Sequence, residues 1–68
     1  MKLSARNQLR GTVTEIHRGE AIANVAMDVA GQRLVASITV EAVQELGLSE
    51  GSRVTAIVKA SDVIVGVE

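Results

Sequence analysis

The sequence has no cysteine, no proline and no phenylalanine, tyrosine or tryptophan. Without cysteine there is neither a disulfide framework nor a thiolate metal site. Without aromatic rings there is no stacking platform for unpaired bases, and binding to single-stranded nucleic acid is excluded on that ground. Without proline nothing blocks central strand pairing. Histidine occurs once, at His17 in an expected turn, from which no Ser-His-Asp order can be argued, and neither a glycine-rich phosphate loop nor a metal-ligand spacing appears. Catalysis is not expected, and no metal ion is expected to be held directly by side chains. The net charge is −1 with both signs interspersed, so no basic arm or membrane-binding face is present. No apolar run approaches a membrane span. The stretch Met1-Lys2-Leu3-Ser4-Ala5-Arg6 contains no apolar signal segment, which makes the cytoplasm the expected location.

What remains is aliphatic. Hydrophobic residues form 47% of the 68 positions, drawn from Val, Ile, Leu, Ala and Met, and these bury less area each than aromatics do. A chain of this size lies near the lower limit of what one core stabilises. With disulfides excluded, association with further copies is the remaining common means of support.

Period-two alternation marks the first half of the chain. A strand is predicted over roughly 6–17, with Gly11 at a bend or close approach. The shift of apolar parity that puts Ile16 out of step with Leu9, Gly11 and Val13 predicts a bulge near Glu15. His17-Arg18-Gly19-Glu20 reads as a turn, 21–29 as a second strand, Ala30-Gly31-Gln32-Arg33 as a hairpin closure and 34–40 as a third strand. The period then lengthens: Val40, Val43 and Leu46 recur at threes, which predicts a helix of about two turns. Thr39 is its N-cap, Glu41 its first-turn acid, and Gly47 and Leu48 its left-handed stop with hydrophobic partner. After a turn at 49–52, two apolar runs flank Lys59-Ala60-Ser61-Asp62 and read as strands four and five. The expected fold is all-β: an OB-fold-like five-stranded antiparallel barrel, with one short helix between strands 3 and 4. One domain spanning 1–68 is expected.

Strand five, Val63-Ile64-Val65-Gly66-Val67, is apolar on both faces, and Ala56-Ile57-Val58 is similar. A solvated antiparallel strand shows water one polar face, and a bare apolar edge invites aggregation. A homo-oligomer that covers the outside is therefore expected.

The chemistry on offer is a set of donors. Ser4-Ala5-Arg6 and Lys59-Ala60-Ser61 each pair a hydroxyl with a cation across one alanine, in opposite order. Donors of this kind suit an anion, although composition alone favours reading Arg6 and Lys59 as surface charges and Ser4 and Ser61 as turn formers.

The segments Ser4-Ala5-Arg6-Asn7-Gln8 with Leu9-Arg10-Gly11, Ser37-Ile38-Thr39, Leu46-Gly47-Leu48, Glu50-Gly51 and Val58-Lys59-Ala60-Ser61 together resemble the molbindins, a molybdenum–pterin-binding protein family. The resemblance covers essentially the whole chain and is weakest over 18–24. It implies a cytoplasmic hexamer built as a trimer of dimers of OB-like subunits. It implies molybdate, or tungstate as near-equivalent, held in pockets between subunits for intracellular molybdenum storage. Carried over by position, the pocket residues are Ser4, Arg6, Thr39, Lys59, Ala60 and Ser61. A second anion site in that family corresponds to Gly19, Glu20, Ala21 and Ile22, where the Glu20 carboxylate is the departure. The alternative is an oligomeric regulatory or protein-interaction module of the same fold, whose anion site is general or vestigial. The absence of an attached DNA-binding or ATPase domain favours a free-standing binder.

Overall fold

The computed structural model describes residues 2–68. Its elements are β1 (Asn7–Arg18), β2 (Ile22–Val29), β3 (Gln32–Thr39), helix α1 (Val40–Leu46), β4 (Arg53–Val58) and a short 3-10 turn at Ala60–Asp62. The strands form one antiparallel sheet in the order β3-β2-β1-β4.

β1 organises the sheet because it changes partners along its length. Asn7 to Thr12 pair with β4, and Thr12 to Arg18 pair with β2. The expected bulge lies between Val13 and Glu15. There the Val13 N–H donates to the Ser52 carbonyl at 2.9 Å, and the Val13 carbonyl accepts from Gly51 N–H at 2.8 Å. The loop before β4 thus satisfies backbone groups that the bulge frees from the ladder. Gly11 meets the close approach expected of it. A Cβ at this position would lie 2.8 Å from the Asp28 carbonyl oxygen and 2.9 Å from a Val29 methyl.

The β2–β3 hairpin turns through Ala30 and Gly31, with φ of 51° and 86°. Val29 pairs with Gln32, leaving a two-residue loop of the kind that needs both central residues left-handed. Alternation then sends Val25 and Met27 of β2 inward, against Val13. Helix α1 closes one end of this core with the fully buried Val43. Its caps match expectation. Thr39 Oγ1 accepts from Ala42 N–H at 2.9 Å, and Gly47 is left-handed at φ 63°, ψ 38°. Gly47 N–H bonds to the Gln44 carbonyl and Leu48 N–H to the Val43 carbonyl, which is the Schellman arrangement.

The five-stranded barrel is not what forms. Among the described residues there are four strands, the sheet is open, and Val63 to Val67 take no regular structure. The run is β-forming in composition, but no strand of this chain pairs with it, and a strand exists only through its ladder. Ile64, Val65 and Val67 are 94%, 85% and 95% exposed. The edges β3 and β4, where a fifth strand would close the barrel, flank an apolar concavity of about 310 Å³. It is lined by Leu34, Ala36, Ile38, Val54, Ala56 and Val58 among others. The chain exposes 5501 Å², whereas a compact monomer of 7.1 kDa exposes about 4,100 Å².

Candidate functional site

The donor set is assembled by the start of β1 and the end of β4. Asn7 lies opposite Val58 in the ladder, and Asn7 Nδ2 donates to the Val58 carbonyl at 3.1 Å. Arg6 and Lys59 are the residues that lie one position beyond this last pair of the ladder, each on its own strand. Ser4 follows two residues before Arg6. Ala60 and Ser61 open the 3-10 turn after Lys59, in which Asp62 N–H donates to the Lys59 carbonyl at 2.9 Å. Ser4, Arg6, Lys59, Ala60 and Ser61 are all exposed. Five of the six expected residues thus come from two segments that one ladder holds together.

Thr39 is the sixth, and no ladder joins it to the rest, although its neighbour Ile38 lines the same concavity as Val58. It ends β3, an edge strand, while Lys59 follows β4, the opposite edge. Its hydroxyl oxygen is taken by Ala42 N–H, which leaves the O–H proton to donate elsewhere.

The second expected position, Gly19 to Ile22, is the β1–β2 turn, displaced one residue later than the turn read from sequence. Gly19 N–H donates to the Ile22 carbonyl at 2.8 Å, and the Ala21 carbonyl accepts from Val40 N–H at 2.8 Å. The turn is therefore braced against the start of the helix. Donors for an anion there would have to come from Glu20 and Ala21, beside the Glu20 carboxylate.

Sequence reasoning assigned no role to Asn7, whose amide ties the two donor segments together. An amide directly after the Ser-Ala-Arg segment, at the point where a strand begins, was the available signal.

The fold is that of a small all-β domain, an antiparallel four-stranded sheet with one capped short helix. Residues 3–65 match the TOBE domain family. Molybdenum-pterin-binding protein 2 of Clostridium pasteurianum is 42% identical over 66 residues, covering 96% of this chain and 97% of that protein. Among solved structures, a molybdate-binding protein from Sporomusa ovata superposes with a TM-score of 0.92 at 48% identity. That match covers 96% of this chain and 97% of the other. A cytoplasmic molybdate-binding protein with molybdate bound superposes at 0.95 and 45% identity, covering all of this chain and 49% of that longer one. The chain belongs to the TOBE domain family, among the molybdenum-pterin-binding proteins.

Proposed function

We propose that this chain binds molybdate, with tungstate as a near-equivalent, in pockets between copies of itself, as a single-domain cytoplasmic store of the oxyanion. The observation that supports the proposal is the Asn7–Val58 pairing, since Arg6 and Lys59 each lie one residue beyond it. Molybdate is a tetrahedral dianion that accepts hydrogen bonds on every side. Two cations offset its charge, while the hydroxyls of Ser4 and Ser61 and the N–H groups around Ala60 fix its orientation. Charge-assisted bonds contribute roughly 1.5–3 kcal/mol each, enough for micromolar affinity from a handful after the costs of binding. Rejecting the smaller sulfate a thousandfold needs about 4 kcal/mol. A rigid pocket with donors spaced for the larger ion supplies that difference.

The assembly half of the proposal rests on what the single chain leaves open. The exposed surface exceeds that of a compact monomer by about 1,400 Å², more than the roughly 800 Å² each partner gives to a standard interface. The tail Val63 to Val67 and the gap between β3 and β4 are both apolar and both exposed in the single chain. A second copy's tail laid in that gap closes the barrel and buries both. Thr39 follows Ile38, which lines the gap, so such closure brings it toward the donor set, and the hexamer proposed from the family resemblance is a trimer of such dimers. In the same assembly the Gly19–Ile22 turn supplies a weaker second anion position.

The test is isothermal titration of molybdate in excess sulfate, paired with light scattering. Saturable binding near one ion per chain on an oligomer supports the proposal. Silence with and without sulfate overturns it and leaves an oligomeric module whose partner is another protein.

A further inference from the structure

The outer face of the sheet carries a second cationic constellation that the molybdate site does not use. One row of facing residues crosses all four strands: Arg53 opposite Thr12, Thr12 opposite Asp28, and Asp28 opposite Arg33. On the next rung outward Arg10 faces Thr55. Arg10 and Arg53 are therefore diagonal neighbours, with backbones about 7–8 Å apart. Arg10, Thr12, Asp28, Ala30, Arg53 and Thr55 line an open groove of about 430 Å³.

Three features make this more than a charged face. Neither arginine is ion-paired, since the ion pair among the described residues is His17 with Glu15. The Asp28 carboxylate is turned toward the hairpin, where it accepts from Gly31 N–H at 3.4 Å, and its ladder partner is Arg33. It therefore stands at one side of the groove without neutralising Arg10 or Arg53. Finally, β2 ends its pairing with β1 at Thr12, and Gly11 allows the close crossing that lets Arg10 run on beyond the hairpin.

We infer that this groove binds a phosphate monoester whose organic part carries hydrogen-bond donors. Two guanidinium forks and two threonine hydroxyls match the oxygens of a terminal phosphate. Asp28 repels a bare dianion and accepts from hydroxyl or N–H groups on the organic part. The volume falls in the range of small-ligand sites and exceeds what a tetrahedral ion fills. Arg6 and Lys59 stand at the other end of β4, so the two sites are separate.

Isothermal titration with adenosine 5′-monophosphate, inorganic phosphate and adenosine tests the inference on the assembled protein. The monophosphate is expected to bind with Kd of about 1 mM or below, more weakly as salt rises. Both fragments are expected to bind at least about tenfold more weakly, as each loses one half of the site. The double variant Arg10→Gln/Arg53→Gln, at exposed positions, is expected to lose monophosphate binding and keep the parent's molybdate titration. Arg6→Ala is expected to do the reverse. Asp28→Asn is expected to narrow the gap between monophosphate and inorganic phosphate. Monophosphate binding that survives the double variant, or that is displaced by molybdate and abolished by Arg6→Ala, overturns the inference. Equal binding of inorganic phosphate and the monophosphate also overturns it.

Discussion

Asn7 and Val58 face each other at the end of the β1–β4 ladder, and the Asn7 side-chain amide donates a hydrogen bond of 3.1 Å to the Val58 carbonyl across 51 residues of sequence. This pair is the last of the ladder, with the Ser4–Arg6 segment before it on one strand and Lys59–Ser61 after it on the other.

Arg6→Ala removes one of the two cations of the donor set. Molybdate affinity is expected to fall by at least about tenfold, the equivalent of a lost charge-assisted bond. The mass by light scattering should remain that of the parent, since Arg6 is exposed and outside the core. Unchanged affinity would remove Arg6 from the pocket.

Ile64→Asp places a carboxylate on the tail, where the parent side chain is 94% exposed in the single chain. If a second copy covers the tail, the variant buries an unpaired charge and dissociates. Light scattering should report a smaller species, with molybdate binding lost alongside. An unaltered oligomer would show that the tail is not the seam.

Two glycines should respond to alanine for different reasons. At Gly47 there is open space, but φ is 63°, so the cost is about 1–2 kcal/mol of left-handed backbone. At Gly11 the new methyl meets the Asp28 carbonyl at 2.8 Å, so β1 and β2 must part at a cost of about 1–3 kcal/mol. Urea midpoints at matched protein concentration measure both. Gly11→Ala should also disturb the Arg10 groove, which Gly47→Ala leaves intact.

Thr39→Ala deletes the helix N-cap and should cost about 1 kcal/mol. Thr39→Ser retains the cap and should restore stability. If Thr39 also donates to molybdate, alanine lowers affinity and serine recovers it. A drop in stability with unchanged affinity would confine Thr39 to capping.

Much of this architecture was legible because it is local. The bulge announced itself when Ile16 fell out of the parity of Val13, and a pleated strand permits no such change without an extra residue. The helix announced both ends, through Thr39 and through Gly47 with Leu48, because caps are made by residues adjacent in sequence. The error lay in Val63 to Val67. Their composition marks a strand, but strand existence is a property of a partner, and no strand of the same chain takes that role.

The candidate site divides in the same way. The sequence alone determined which residue types were available: hydroxyls and cations at 4–6 and 59–61, and no ring, thiol or second histidine. Only the tertiary structure decided where each of them lies. The register of β1 on β4 puts Arg6 and Lys59 each one residue beyond the same final pair, and Thr39 ends the other edge strand. The tertiary structure also aligned Arg53, Thr12, Asp28 and Arg33 in one row, which single-strand alternation does not specify. The physical reason is that side-chain alternation along a strand follows from backbone geometry, whereas register between strands is set by the turns and bulges that join them and by the shared core they bury.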